Sequence, residues 1–229
     1  MIDTQGLLKS ALIAFQCRLS GQGRRCGYDH ASIREPLAAR FYDSRYPVPN
    51  DRHAVIRNRS LVAASVGYSL DSPLDYGVRA AALSASWLPQ TQYVVLLTAT
   101  SRDDKRWPDA DWIALGRHFV NEGFISVLPS GNAIELQRAQ HIARSIPGAV
   151  VAPSLGIPAL ASLLSGAQRV VGVDTGLTHL AAALGRPTVA IFCASDPGLT
   201  GVYAGPGAVN LGQRGLAPDV AQVIAASRA

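Results

Sequence analysis

The chain has 229 residues, of which 48% are hydrophobic, and a formal net charge of +5, values typical of one large folded domain or two small ones. No apolar run is as long as a membrane span, and we expect no secretion signal. The three cysteines, Cys17, Cys26 and Cys193, are odd in number and lack metal-ligand spacing. We therefore expect reduced thiols in the cytoplasm.

The positive charge is concentrated at the start of the chain. Residues 1–60 hold ten Lys/Arg and five Asp/Glu, whereas residues 61–229 hold eleven of each. Such a patch favours an anionic partner: nucleic acid, an anionic membrane surface or an acidic lipid-linked substrate. A solvated basic face explains the charge equally well. Because the arginines are dispersed among prolines and acidic residues, we expect no nucleic-acid partner.

The first ninety residues give few strand signals. Ile2–Gly6 resembles the end of a strand and the turn into a helix, so we expect the chain to begin inside a domain. Residues 46–50 are typical of an extended linker. Helical spacing of apolar residues predicts helices over Thr4–Ala14, Arg34–Tyr42 and Ala54–Val66.

From Tyr93 onward, strand and helix patterns alternate. This alternation predicts a parallel sheet with helices on both faces. The predicted strands are Tyr93–Thr98, Phe124–Leu128, Ala149–Ala152, Val170–Val173 and Thr188–Cys193. The predicted helices are Asp109–Asn121, Ala133–Ser145, Ile157–Leu164, a helix that begins after Thr175, and Ala217–Ser227; the Gly/Pro-rich segment 196–207 precedes the last of these.

The junction between Val173 and the helix after Thr175 has the features of an anion site. A helix that opens at the carboxyl end of a parallel strand presents free N–H groups and a positive dipole end. Gly176 permits close approach of a ligand, and His179 follows Thr175 by one helical turn. The same residues also suit an ordinary strand–helix junction, in which Asp174 caps the helix and His179 lies in the core.

The loop after the first predicted strand, residues 98–108, supplies further anion-binding groups. Thr100 and Ser101 offer hydroxyl donors, and Lys105 offers a mobile positive charge. Because ligands of open α/β sheets bind beyond the carboxyl ends of the strands, this loop and Asp174 are predicted to face one crevice. The pair predicts a diphosphate site that needs no metal, although a solvated basic loop would also account for Lys105.

Other chemistries find little support. No G-x-G-x-x-G follows a strand, which disfavours a dinucleotide oxidoreductase, and no P-loop motif is present. The D-x-D formed by Asp109 and Asp111 falls in a first helical turn, where acidic residues favour the dipole, so we expect no metal there. No Ser/His/Asp or Cys/His hydrolase arrangement is recognisable.

Five stretches carry a specific resemblance. They are TATSRDDKRWP (98–108), VDTGLTHLAAAL (173–184), DPGLTG (196–201), IDTQGLLKSA (2–11) and REPLA (34–38). Together they resemble the type I lipopolysaccharide heptosyltransferases, inverting enzymes of glycosyltransferase family 9 with the GT-B fold. The resemblance covers nearly the whole chain, and the stretches at 98–108 and 196–201 favour type I over type II.

The resemblance implies an α/β fold of GT-B type. Residues 1–88 are then the remnant of an incomplete N-terminal Rossmann-like domain that binds the acceptor. Residues 89–229 are a complete C-terminal Rossmann-like domain that binds the nucleotide sugar. The implied reaction moves heptose from ADP-L-glycero-β-D-manno-heptose to Kdo of lipid A without a cofactor or metal. The implied location is the cytoplasmic face of the inner membrane, with the protein peripheral on its anionic surface.

The resemblance also implies roles for individual residues, wherever this sequence matches the family's motifs. Thr100, Ser101 and Lys105 would contact the donor diphosphate, and Lys105 would stabilise the leaving group. Asp174, Thr175, Gly176 and His179 would form the second wall around the phosphates and sugar. Glu135, in PSGNAIE (129–135), would bind the ribose, and Leu155 would pack on the adenine, although Ser130 replaces a common aromatic. Arg34 and Arg57 are candidates for the acceptor's phosphates or carboxylates.

One departure from the family concerns the general base. The family's N-terminal strand and Gly-Asp helix start, which carry the proposed base, have no counterpart in this sequence. We therefore expect ADP binding to persist and turnover to be impaired, since inverting transfer needs a base to deprotonate the acceptor. The alternative is a catalytically inactive module that binds ADP or a nucleotide sugar.

Overall fold

The structure is a computed structural model and describes residues 1–16, 23–71, 74–205 and 207–228. The chain divides into two compact units, Met1–Pro73 and Leu74–Ala229. Cys26 and Cys193 are free thiols, and Cys17 lies outside the described residues. None of the helices in the described ranges combines the length and the apolar character needed to cross a bilayer.

The first unit is built on a small parallel sheet. Its two strands, β1 and β2, pair in register from Cys26 opposite Ser44 to Tyr28 opposite Tyr46, and Ile2 adds a parallel bridge to Cys26. Ala11, Ala38 and Leu61, from three helical segments, are fully buried beside this sheet. The elements are α1 (Leu8–Gln16), β1 (Cys26–Tyr28), a 3₁₀ helix (Pro36–Phe41), β2 (Ser44–Tyr46) and α2 (Ala54–Val66).

Several predictions for this unit need correction. The first helix begins at Leu8 rather than Thr4, because the Asp3 carboxylate accepts the N–H groups of Gln5 and Gly6 and Gly6 adopts φ 65°. The helix predicted over residues 34–42 is a six-residue 3₁₀ helix. The strands β1 and β2 were missed because three residues are too short to show a period. The prediction for α2 is confirmed at both ends.

The second unit is a six-stranded parallel sheet in the order β5-β4-β3-β6-β7-β8. The strands are β3 (Tyr93–Leu97), β4 (Ile125–Leu128), β5 (Val150–Val151), β6 (Arg169–Val173), β7 (Thr188–Phe192) and β8 (Ala208–Gly212). The helices are α3 (Asp109–Asn121), α4 (Ala133–Arg144), α5 (Ile157–Gly166), α6 (Gly176–Ala183), α7 (Pro197–Thr200) and α8 (Val220–Ser227), and a 3₁₀ turn spans Asp103–Lys105. Alternating strands and helices therefore form the predicted parallel sheet, with β8 as the strand that the sequence did not indicate.

The two faces of the sheet bury different helices. Val94 and Leu96 of β3 point to the face covered by α3, α4 and α8, where Trp112 is fully buried. Val95 and Leu97 point to the face covered by α5 and α6 and meet Leu163 and Ala181. Successive strand residues alternate between faces, so one five-residue strand serves both layers.

The strand order reverses between β3 and β6. These strands pair directly, from Val94 opposite Arg169 to Leu97 opposite Gly172, although two strands separate them in the chain. The order is that of a doubly wound Rossmann sheet, whose ligands bind outside the carboxyl ends of the strands where the order reverses. The loops that follow β3 and β6 flank this point, as the predicted crevice requires.

Residues 74–88 belong to the second unit by their contacts. The N–H of Leu83 donates to the carbonyl of Ser162, and Leu88 is buried in the cluster that contains Tyr93. The division after Pro73 thus lies 15 residues before the predicted boundary at residue 88. The acceptor and donor roles assigned to the two segments stay predictions.

Candidate functional site

An ion pair connects the two loops at the point of strand-order reversal. Lys105 Nζ lies 2.6 Å from Asp174 Oδ2, and the side chains are 20% and 14% exposed. Lys105 comes from the loop after β3, and Asp174 directly follows β6. The sequence-predicted partners therefore share one edge of the sheet.

Two further side chains surround the Asp174 carboxylate. The Ser195 hydroxyl donates to Oδ2 at 2.7 Å, and His179 Nε2 lies 4.0 Å from Oδ1. His179, Lys105 and Ser195 together hold the pKa of Asp174 well below its usual range, against the opposing effect of burial. Asp174 is therefore a carboxylate anion at neutral pH, and at 4.0 Å His179 Nε2 lies beyond direct hydrogen-bond distance of Oδ1.

The amino end of α6 opens beside this carboxylate. Thr175 is the N-cap residue, and within the described residues its side chain makes no capping hydrogen bond. A Cβ built on Gly176 would meet no other atom within 4 Å. Thr178 anchors the first turn, because its hydroxyl donates to the Val173 carbonyl at 2.7 Å. The interpretation of Asp174 as the cap and His179 as a core residue is thus wrong, since His179 is 41% exposed.

A cavity of about 280 Å³ adjoins the two loops. Thr100 and Ser101 from the loop after β3, Glu135 from α4 and Thr175 from α6 contribute to its wall. Leu97, Leu160 and Leu177 supply apolar surface. The cavity therefore combines hydroxyl donors, a carboxylate and an apolar floor, a mixture typical of small-molecule binding sites.

Glu135 reaches this cavity from the first turn of α4. Its Oε2 accepts the N–H of Gly131 at 2.7 Å, and its Oε1 accepts the Asn132 amide at 2.8 Å. Asn132 in turn caps α4 through the N–H of Glu135. Leu155 is half-buried against the cluster that covers the α5–α6 face and is not among the residues that line the cavity.

Arg138, which the sequence analysis missed, fixes the loop after β3 at both ends. Its guanidinium donates to the carbonyls of Thr98 at 2.7 Å and Trp107 at 2.8 Å, and it pairs with Asp109. It also lines a neighbouring cavity of about 580 Å³ that shares Thr100 and Glu135 with the smaller one. Its position three residues after Glu135, on one face of α4, was the available signal.

Asp109 is the first residue of α3 and forms an ion pair with Arg138. The first Asp of the D-x-D pattern therefore has a structural role. Burial, and then the charge of Asp219, raise the pKa of Asp111. Within the described ranges, no three His, Cys, Asp or Glu side chains converge in the manner of a metal site.

The two arginines predicted to bind the acceptor lie in the first unit. Arg34 is exposed, next to the start of the 3₁₀ helix. Arg57 packs over the Tyr28 ring, with its guanidinium carbon 4.8 Å from the ring centroid, and donates to the Ser32 carbonyl at 2.7 Å. Arg57 therefore has an internal role whether or not it also contacts a ligand.

Comparison with known proteins identifies the family. The model of glycosyltransferase family 9 (heptosyltransferase) matches residues 1–226. Lipopolysaccharide heptosyltransferase 1 of Pseudomonas aeruginosa is 43% identical over 213 residues, which are 93% of this chain and 59% of that protein. The chain thus spans less than two thirds of the length of this relative.

Solved structures agree with the sequence match. The Escherichia coli heptosyltransferase WaaC with ADP superposes with a TM-score of 0.84 at 35% identity, over 98% of this chain and 70% of that one. WaaC with ADP-2-deoxy-2-fluoro heptose gives a TM-score of 0.79 at 36% identity, over 97% and 67% of the two chains. By the match of nearly its full length and by its fold, the chain belongs to glycosyltransferase family 9, the heptosyltransferase family.

Proposed function

We propose that this chain binds ADP-L-glycero-β-D-manno-heptose and takes part in inverting transfer of the heptose to Kdo of lipid A. The donor is suggested by the similar structures with ADP and with a fluorinated ADP-heptose. The acceptor class is suggested by the relatives, which are lipopolysaccharide heptosyltransferases. The observation that carries the proposal is the Lys105–Asp174 pair beside the open amino end of α6.

The diphosphate would lie between the two loops. Lys105 supplies an ammonium group, Thr100 and Ser101 supply hydroxyls, and the first N–H groups of α6 supply fixed donors. Two opposite unit charges 4 Å apart attract each other by roughly 4 kcal/mol at an effective dielectric constant near 20, before the cost of desolvation. Charge develops on the departing ADP, so these groups favour the transition state more than the ground state.

The nucleoside would occupy the cavity beside Glu135. A carboxylate accepts two hydroxyl hydrogen bonds readily, so Glu135 suits the ribose once its bonds to Gly131 and Asn132 rearrange. Leu155 remains the proposed apolar contact of the adenine. On the sugar side, Asp174 Oδ1 would accept hydrogen bonds from heptose hydroxyls, and His179, 4.0 Å away, would donate one to them.

The acceptor would be recognised by basic groups of the first unit. Arg34 is exposed and fits a phosphate or carboxylate, and Arg57 is the weaker candidate because of its internal contacts. The excess of Lys and Arg in residues 1–60 also suits an anionic membrane surface on the cytoplasmic side, where a lipid-linked acceptor is met. The proposal includes no nucleic acid and no resident metal.

Titration calorimetry with ADP tests the donor half of the proposal. The chain has two lysines, Lys9 and Lys105, so Lys9→Ala is a matched control for Lys105→Ala. We expect ADP to bind the unaltered chain and the Lys9→Ala variant with equal affinity. Lys105→Ala should bind ADP at least tenfold more weakly, because a charge-assisted contact to the diphosphate is lost. Equal affinity of all three would overturn the proposed site.

A transfer assay with ADP-heptose and a Kdo–lipid A acceptor tests the reaction. Transfer that depends on Lys105 supports the enzyme. ADP binding without transfer in any preparation that contains this chain supports a nucleotide-binding module instead.

A further inference from the structure

The two oxygens of the Asp174 carboxylate are used unequally. Oδ2 accepts both the Lys105 ammonium at 2.6 Å and the Ser195 hydroxyl at 2.7 Å. Oδ1 faces His179 at 4.0 Å. Since a carboxylate oxygen offers about two lone-pair sites, Oδ2 is filled and Oδ1 retains capacity for a ligand.

Ser195 is held on a loop that is anchored on both sides. On its amino side, the Cys193 carbonyl accepts the Gly215 N–H at 2.8 Å. On its carboxyl side, Asp196 caps α7 by accepting the N–H of Gly198 at 2.8 Å. The loop follows β7, and β7 also contacts the main chain of Asp174, whose N–H donates to the Ile191 carbonyl at 3.0 Å. These hydrogen bonds therefore hold the loop that carries Ser195 in place beside Asp174.

The other donor to Oδ2 is not fixed in this way. Lys105 reaches Asp174 on a four-carbon stem with many rotamers, and alone it would let the carboxylate turn about its own side-chain bond. A hydroxyl from an anchored loop removes that freedom at little entropic cost. A group held in its binding geometry before the ligand arrives binds more tightly, since the ordering cost has already been met.

We propose that Ser195 is a positioning residue for the donor site. It fixes the Asp174 carboxylate so that Lys105 is presented to a diphosphate and Oδ1 is left to accept a sugar hydroxyl. This inference rests on the proposed function and adds to it a third loop, the one after β7.

The test is a set of ADP titrations. Ser195→Ala is expected to weaken ADP binding by up to about tenfold, because the Asp174 and Lys105 side chains must then be ordered when the ligand binds. Ser195→Thr, which keeps the hydroxyl, restores the affinity. Ser227→Ala is the matched control: the Ser227 hydroxyl donates to the Ile224 carbonyl at 2.8 Å, and Ser227 lies near Arg169, at the amino ends of the strands. It leaves ADP affinity unchanged.

A double-mutant cycle separates positioning from general loss of structure. In an Asp174→Asn background, Ser195→Ala should weaken ADP binding no further, because its effect runs through the carboxylate. Equal losses in both backgrounds would overturn the inference. If the unaltered chain binds ADP and Ser195→Ala binds it equally tightly, the inference is overturned and the proposed function stays intact. An unaltered chain that does not bind ADP overturns both.

A second measurement needs no ligand. With ¹⁵N-lysine labelling, the chain gives two ammonium signals, and Lys105→Arg identifies the one from Lys105. Ser195→Ala is expected to shift and broaden the Lys105 signal and leave that of Lys9 in place. An unaltered Lys105 signal would show that Ser195 does not order the pair and would overturn the inference.

Discussion

Lys105 Nζ lies 2.6 Å from Asp174 Oδ2, a contact between residues 69 positions apart in the chain. The pair connects the loop after β3 to the residue that directly follows β6. At the proposed site, a diphosphate would share the Lys105 ammonium group with the Asp174 carboxylate. The strength and pH range of this pair determine how the site behaves.

The first prediction concerns the stability that Asp174 supplies. Asp174→Asn should lower the free energy of unfolding at pH 7 by about 1–3 kcal/mol, because Lys105 and Ser195 lose a charged acceptor. The folded-state pKa of Asp174 is depressed, so its contribution is complete above the unfolded value of about 3.9 and is lost as the pH falls toward the folded value. Urea unfolding from pH 7 to pH 3 measures it.

The difference between the variant and the unaltered chain should be constant above about pH 5 and shrink below about pH 4. Asp51→Asn, at an exposed carboxylate, is the control and should change stability by less than about 0.5 kcal/mol. A difference for Asp174→Asn that does not vary with pH would contradict the assignment.

The second prediction uses the scarcity of lysine. An amine-directed acetylating reagent should modify the exposed Lys9 faster than Lys105, which is 20% exposed and ion-paired. ADP at about 100 times its Kd leaves about 1% of sites free and should suppress acetylation of Lys105 in proportion. Peptide mass spectrometry measures both sites. Acetylation of Lys105 at the same rate with and without ADP would place the nucleotide elsewhere.

The third prediction contrasts two glycines near α6. A Cβ on Gly172 would overlap the Thr178 hydroxyl and come within 2.9 Å of Leu97 Cβ. Gly172→Ala should therefore cost about 1–3 kcal/mol of stability, since α6 must move away from β6. Thermal unfolding checks this, and an unchanged melting temperature would mean that the helix moves freely.

Gly176→Ala is the matched substitution. Its Cβ meets open space, so stability should stay level or rise by up to about 1 kcal/mol. The new methyl group would stand where a phosphate approaches the helix, and ADP affinity should fall. Calorimetry together with thermal unfolding separates the two effects. A Gly176→Ala chain that binds ADP normally would argue against the helix end as a phosphate site.

The fourth prediction concerns the Arg138 guanidinium. Arg138→Met should destabilise the second unit by about 1.5–3 kcal/mol, because three hydrogen-bond acceptors lose a charged donor. Arg106→Met removes an exposed pair with Asp103 and should change stability by less than about 1 kcal/mol. Denaturant unfolding compares them, and equal effects would contradict the role of Arg138 in fixing the loop.

Much of the second unit followed from periodicity. The apolar runs Tyr93–Thr98 and Val170–Val173 predicted buried parallel strands, which the structure has at Tyr93–Leu97 and Arg169–Val173. The helix α3 was predicted to the residue. The short strands β1 and β2 escaped prediction because three residues show no pattern. β8 escaped because Asn210 interrupts its three apolar residues, Gly212 ends it, and its residues are half-buried at the sheet edge.

The sequence by itself determined the family, the alternation of strands and helices, and the chemical character of the loops after β3 and β6. Only the tertiary structure decided that β3 and β6 are neighbours, that Lys105 is already paired with Asp174, and that Ser195 and Arg138 hold the pair and its loop. The physical reason is the separation along the chain over which each kind of interaction acts. Periodicity and capping act within a few residues of the chain, whereas the order of strands, and hence which loop ends meet, is set by packing across the whole sheet.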